Sequence, residues 1–167
     1  IFSHSLLGQT LDDAAGECLD KVGRELGLGY PAGPVVEQLA RQAWRDHSLR
    51  DLIRHYRGQL PTPLLRSPKT DLNFSFSGLK TAVLYTIRDL SSRAKRSNLS
   101  LQLKSDLCAS FQEAAVGVLV GKTTRAIDKM KPKAVLLAGG VSANERLRKK
   151  LGDAIKKSSP KTLYVVP

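Results

Sequence analysis

The feature that most narrows what this chain can fold into is the run Ala134-Val135-Leu136-Leu137-Ala138, followed at once by Gly139-Gly140-Val141-Ser142-Ala143-Asn144. A short apolar run bracketed by Pro132 and by glycines reads as a buried strand with both faces covered. The glycines turn the chain, and Ser142 with Glu145 three residues on reads as a capping box that opens a helix. Strand, glycine turn and helix N-terminus together make a place for phosphate or a nucleotide. Glycine lets backbone approach a ligand closely, and the first amides of the helix, at its positive dipole end, favour an anion. The plainer alternative is a strand-to-helix turn that holds no ligand.

At 167 residues and 41% hydrophobic, the chain suffices for one cored domain or for pieces of two. No window approaches the roughly 20 apolar residues of a membrane span. Ile1 to Leu7 is short and lacks a basic leader, so no secretory signal is expected. The chain begins without Met and reaches Val165-Val166-Pro167 as another strand forms, so the expectation is a piece of a longer protein. Cys18 and Cys108 have no companion ligands at metal spacing and read as buried, reduced thiols of a cytosolic protein.

A net charge of +12 calls for an acidic partner, and nucleic acid is the commonest. Arg41 and Arg45 pair at helical spacing, whereas Arg50, Arg54 and Arg57 fall on the opposite side of any helix running through both groups. Further basic groups are Arg88, Arg93, Lys95 and Arg96, and Arg146, Arg148, Lys149 and Lys150 on the last helix. Such faces are either solvated surface or RNA contacts. Aromatics are few, so any RNA contact should go to phosphates rather than to stacked bases.

Along the chain, Leu11 to Leu26 reads as a helix with Thr10 as cap, Asp12 and Asp13 in its first turn, and Leu11, Ala14, Ala15, Cys18, Leu19 and Val22 on one face. The segment from Gly27 to Pro34 stops it, and a second helix should run from about Pro34 to Arg45. Leu60-Pro61-Thr62-Pro63 is a linker or turn. Asn73 to Ser77 alternates as a strand does, and Gly78 leads into a helix reaching about Leu90. Ser91 to Ser100 reads as a surface loop. A long amphipathic helix should bury Leu103, Leu107, Phe111, Ala114, Ala115, Val118 and Leu119, and a last helix Leu147, Leu151 and Ile155. Thr162 to Val166 reads as the final strand.

Four segments then carry a family resemblance: Leu6-Leu7-Gly8-Gln9-Thr10-Leu11-Asp12-Asp13-Ala14-Ala15-Gly16-Glu17-Cys18-Leu19-Asp20-Lys21; Leu26-Gly27-Leu28-Gly29-Tyr30-Pro31-Ala32-Gly33-Pro34; Asn73-Phe74-Ser75-Phe76-Ser77-Gly78-Leu79-Lys80-Thr81; and Ala138-Gly139-Gly140-Val141-Ser142-Ala143-Asn144. In order and spacing the chain resembles the TsaD family, tRNA threonylcarbamoyladenosine transferases of the actin/hexokinase/Hsp70-like ATPase superfamily, once called glycoproteases. The first and last segments are the strongest signatures. The resemblance is weakest from Arg41 to Thr70 and from Leu90 to Ser100.

The resemblance implies an α/β fold, a fragment of a two-lobe actin/hexokinase/Hsp70-like architecture. Residues 1–130 would be the mostly helical part with a family insertion, and 131–167 the start of a strand-helix-strand nucleotide-binding lobe. It implies transfer of a threonylcarbamoyl group from threonylcarbamoyl-AMP to the adenosine 3′ of the anticodon in tRNA. The family's nucleotide-binding residues fall on Asp20, Gly33 and Asn144, with Gly139 and Gly140 in the adjoining turn. A carboxylate at Asp20 could accept hydrogen bonds from both ribose hydroxyls, or be an ordinary exposed helix acid. Gly33 offers bare backbone at a helix mouth, as a simple turn would also need. Asn144 can donate and accept from one amide, which suits a ribose or base edge but is unremarkable in a helix first turn. Asp13, Glu17 and Lys21 are either a charged surround to the site or a local salt-bridge set.

The resemblance also implies one divalent metal, iron or zinc, held by two histidines four apart and an aspartate. No such pair occurs here. His4, His47 and His55 read as surface or structural, so the metal ligands are expected outside this chain, and the chain alone is expected to be inactive. Implied partners are tRNA and small accessory proteins, with room for a homodimer and no membrane. The implied location is the cytoplasm, or an organelle in a eukaryote. A non-catalytic scaffold of the same superfamily is the alternative function. The protease label has no zinc-protease His-Glu motif and no justified Ser/His/Asp arrangement behind it.

Overall fold

The computed structural model describes residues 4–45, 60–62, 68, 71–94 and 99–167. Arg50, Arg54, Arg57, Lys95, Arg96, His47 and His55 lie outside the described residues. The element order is α1 (Ala15–Glu25), α2 (Gly33–Arg45), α3 (Ser77–Ala94), α4 (Leu101–Met130), β1 (Ala134–Leu136), a 3₁₀ turn (Gly140–Ala143), α5 (Glu145–Ser158) and β2 (Leu163–Val165). This is a helix-rich α/β arrangement with a small parallel sheet. No helix among the described residues is long and apolar enough to cross a membrane.

The centre of the fold is α4, 30 residues long and capped by the Ser100 hydroxyl, which accepts the Leu103 amide. From Ser105 to Val116 every residue is buried, so the helix is enclosed on all sides rather than being amphipathic as its apolar spacing suggested. Leu107, Phe111 and Val118 form the expected apolar stripe. Asp106, Gln112 and Glu113 are nevertheless buried too, because α2 and α5 pack against further faces of the helix. Burying those polar groups is tolerable only because they find hydrogen-bond partners. One core cluster joins α1, α2, α3 and α4 through Cys18, Val22, Val36, Leu39, Leu79 and Phe111. A smaller one packs Ile127 of α4 against Leu151 and Ile155 of α5, beneath Val135 and Tyr164.

The chain from Gln9 to Asp13 is not helical. Its backbone pairs with the segment around Phe74, the Phe74 amide donating to the Gln9 carbonyl at 2.8 Å and the Leu11 amide to the Phe74 carbonyl at 2.9 Å. The expected start of the first helix at Leu11 is therefore corrected to Ala15, and Leu11 lies 61% exposed. The Thr10 hydroxyl donates to the Asp13 carbonyl instead of capping a helix amide. Asn73 to Ser77 likewise forms a single parallel bridge, Thr10 to Phe74, rather than a strand. The cause is Asp12, whose carboxylate accepts the Phe76 amide at 2.7 Å, the Ser77 amide at 3.3 Å and the Ser75 and Ser77 hydroxyls at 2.5 and 2.6 Å. This acid caps α3 from 65 residues away and stops the extended segment. Helix α3 continues through Ser91 to Ala94, the front of the expected loop.

Burial pushes the Asp12 carboxyl upward, but the two hydroxyls and two amides outweigh it and hold the pKa at about 2. The folded-state pKa thus lies below the ordinary value of 3.8, so the stability from this cap is full above that value and is lost as pH falls toward about 2. Asp12→Asn is expected to cost about 1 kcal/mol at neutral pH and to flatten the unfolding midpoint against pH between 4 and 2. Urea unfolding across that window checks it, and an unchanged slope would contradict the cap.

Strands β1 and β2 run parallel in the register Ala134 to Leu163, Val135 to Tyr164 and Leu136 to Val165, with α5 as the crossover. The expectation that both faces of β1 are covered is corrected. Val135 packs onto the small cluster, while Leu136 is 64% exposed. The other expected apolar set, Leu147, Leu151 and Ile155, is buried as the helical spacing required. Both cysteines are free and buried, and burial pushes each thiol up to about 12.

Candidate functional site

Three of the four signature segments meet at the carboxyl end of β1. The front of α1, the mouth of α2 and the 3₁₀ turn enclose a cavity of about 520 Å³ lined by Asp20, Gly33, Gly140 and Asn144 together with Ala14, Gly16, Leu19, Pro31, Pro34, Glu37, Val141 and Ala143. Four of the five sequence-derived site residues line one cavity, and Gly139 adjoins it through Gly140. Its volume lies within the range of small-molecule sites, and its lining, apolar with a few polar groups, has their usual character. No lysine, arginine or histidine is among these lining residues.

Asp20 faces the first turn of α2. Its Oδ1 accepts the Ala32 amide at 2.7 Å and the Gly33 amide at 3.1 Å, so the carboxylate caps that helix and fixes the Tyr30-to-Gly33 loop to α1. It is not an idle surface acid. Among the described residues Oδ2 has no partner, so one carboxylate oxygen, not two, is left for a ligand. Behind it, Gly23 lets the loop come close, because a Cβ there would lie 2.2 Å from that of Ala32. A Cβ on Gly33 would meet nothing within 4 Å, so bare backbone faces the open cavity.

Gly139 carries the turn, with φ at +92°, a conformation that side chains rarely adopt. Its carbonyl accepts the Ser142 amide, and Asn144 rather than Ser142 is the cap of α5. The expected capping box at Ser142 and Glu145 is therefore corrected by two positions, because the 3₁₀ turn takes up Gly140 to Ala143 first. The Asn144 side chain is buried and already engaged. Its Oδ1 accepts the Leu147 amide at 2.9 Å, and its Nδ2 donates to Gln112 Oε1 at 2.8 Å. The Glu145 amide is taken by Glu37 Oε1 at 2.9 Å. A carboxylate of the protein itself thus sits where the helix dipole would otherwise attract a phosphate.

Sequence reading missed Glu37 and Gln112. Glu37 follows Gly33 by one helical turn, which places both on one face of α2, a signal that was available. Gln112 is one of several polar residues on a buried helix, and nothing local singles it out. Asp13, Glu17 and Lys21 form the local salt-bridge set. Lys21 Nζ lies 2.7 Å from Asp13 and 2.8 Å from Glu17, and Lys80 reaches Asp13 at 2.8 Å. The two lysines hold the Asp13 carboxyl below its ordinary range, and Lys21 does the same to Glu17.

Several basic residues that looked available to RNA are engaged internally. Arg41 bridges Glu37 and Glu145, and Arg146 pairs with the buried Glu113 at 3.0 Å while its guanidinium lies 5.0 Å over the Trp44 ring. Lys150 also pairs with Glu113. His4 is exposed, and no group of three His, Cys, Asp or Glu among the described residues could hold a metal ion. The described residues do not fit a metal.

The sequence model described as TsaD, tRNA N6-adenosine threonylcarbamoyltransferase, matches residues 2–167. Curated relatives carrying that name include one from Corynebacterium aurimucosum, 50% identical over 85% of this chain and 37% of its own length. Another, from Persephonella marina, is 46% identical over 89% of this chain and 37% of its own. A third, from Francisella tularensis subsp. novicida, is 43% identical over 98% of this chain and 44% of its own. The chain spans less than half the length of these relatives. A match over almost every residue, with three of the four signature segments gathered round one cavity, means that this chain belongs to the TsaD family of tRNA N6-adenosine threonylcarbamoyltransferases.

Proposed function

We propose that the polypeptide carrying this chain transfers a threonylcarbamoyl group from threonylcarbamoyl-AMP to the tRNA adenosine 3′ of the anticodon, and that the cavity at the end of β1 holds the nucleoside part of that donor. The observation that carries this reading is the convergence of Asp20, Gly33, Gly140 and Asn144 on one cavity. Asp20 Oδ2 would accept from a ribose hydroxyl. The bare backbone at Gly33 and Gly140 lets the ligand lie close, and Asn144, oriented by Gln112, retains one amide hydrogen for it. The lining offers no cation to a phosphate, and Glu37 fills the α5 N-terminus, so the charged end of the donor points away from these residues. An acyl-adenylate is already activated, so positioning supplies much of the rate, and no residue is assigned the part of general base.

In this reading the chain is part of a two-lobe actin/hexokinase/Hsp70-like fold, with residues 131–167 beginning the nucleotide-binding lobe. The divalent metal, iron or zinc, is held by residues outside this chain. Accessory proteins assist in the cytoplasm or an organelle, and self-association into a dimer is compatible with it. The test supplies the full polypeptide and its accessory proteins with threonylcarbamoyl-AMP and unmodified tRNA, and looks by mass spectrometry for threonylcarbamoyladenosine. Product that falls at least tenfold in Asn144→Ala supports enzyme and site. Product untouched by the change removes Asn144 from the site, and no product at all favours the non-catalytic scaffold.

A further inference from the structure

The ion pairs that engage Arg41, Arg146 and Lys150 leave the question of where the net charge of +12 is free to act. The fold answers it at the far end of the strand-helix-strand unit. Helix α4 ends at Met130 and α5 at Ser158, and the two ends are tied together. The Leu163 amide donates to the Lys133 carbonyl at 2.9 Å, and the Thr162 hydroxyl to the Pro132 carbonyl at 2.8 Å. Ile127 packs against Leu151 and Ile155 just beneath. This junction brings Lys129, Lys131 and Lys133 of one connection beside Lys156, Lys157 and Lys161 of the other. All six are exposed, and among the described residues none is held in an ion pair. The acids on the same helix ends are Asp128 and Asp153.

A solvated role accounts for part of this. Lys129, Lys156 and Lys157 sit in the last turns of α4 and α5 and complement the negative ends of their dipoles. Lys131 is the C-cap of α4 and shares that role, whereas Lys133 and Lys161 lie beyond the helix ends, where no dipole accounts for them. Holding six like charges on one small surface costs stability through mutual repulsion, which a polyanion would relieve. The surface carries no aromatic platform among these residues, so it fits a phosphate backbone rather than unstacked bases.

We infer that this lysine junction is a docking surface for the tRNA phosphate backbone, separate from the reaction cavity. The inference rests on the reading of the protein as a tRNA-modifying enzyme. The cavity lies at the N-terminal end of α5 and the junction at its C-terminal end. With 14 residues in the helix, they stand about 21 Å apart at 1.5 Å per residue. The contact therefore holds a part of the tRNA away from the reacting adenosine and contributes binding, not chemistry.

The test uses the full polypeptide with the triple change Lys133→Gln, Lys157→Gln and Lys161→Gln, and the matching triple arginine variant. Fluorescence anisotropy with unmodified tRNA is read from 50 to 300 mM salt, beside turnover at saturating tRNA. The glutamine variant is expected to bind about tenfold more weakly, with the slope of log K against log salt reduced by about 2. Turnover at saturation should hold, and the arginine variant should bind as wild type. Unchanged affinity and slope in a variant whose wild-type parent binds tRNA would overturn the surface but spare the function. A wild type that binds no tRNA would overturn both.

Discussion

Replacing Glu113 by alanine should lower the stability of this fold by about 2 to 4 kcal/mol. Its side chain is 2% exposed on α4, where it pairs with Arg146 and Lys150 of α5, which are 30% and 28% exposed. Removing the acid takes from two half-buried cations the carboxylate that they share. Water still reaches both, which keeps the expected loss below the upper end for a fully enclosed pair. Arg146 also lies over Trp44 of α2, so one acid holds three helices in register. Trp44 is the one tryptophan in these 167 residues, and its fluorescence reports that junction directly. Urea unfolding followed at Trp44 should show the midpoint falling sharply in Glu113→Ala and less in Glu113→Gln, which keeps an acceptor. A loss under 1 kcal/mol in the alanine variant would mean that the pairs do not tie α4 to α5.

How much of this was legible in the sequence depends on the range of the interaction involved. Helix α2 and the apolar stripe of α5 follow from spacing alone, because Leu147, Leu151 and Ile155 recur at the helical period and are buried together. The failures share one cause. Asp12 reads as a first-turn acid of α1, yet it caps α3. Nothing in the sequence around Glu37 points to α5, yet it takes the first amide of that helix from 108 residues away. Local pattern reports which residue types suit a cap but not which helix they will reach. The same limit hid the charge distribution, since Arg146 and Lys150 look like a basic face until Glu113 is placed beneath them. The cavity was legible in its members, through the family segments, but not in how each member is already bonded.

That bonding decides what Asp20 is expected to do when changed. One oxygen holds the Ala32 and Gly33 amides, a structural duty, and the other has no partner among the described residues, on a side chain that lines the cavity. Asp20→Asn keeps an oxygen that can accept both amides but loses the charge and places an amide nitrogen toward the ligand. Asp20→Ala removes both duties. The asparagine variant should therefore unfold close to wild type and bind a stable analogue of threonylcarbamoyl-AMP about 10- to 100-fold more weakly, the value of one hydrogen bond to a charged acceptor. The alanine variant should add a stability loss of about 1 to 2 kcal/mol from the uncapped α2. Calorimetric binding beside thermal unfolding, on the full polypeptide, separates the two. If the asparagine variant binds as tightly as wild type, Asp20 is a helix cap alone and the ribose lies elsewhere. If it loses stability as the alanine variant does, the charge matters to the cap itself, and the split between the two oxygens is wrong.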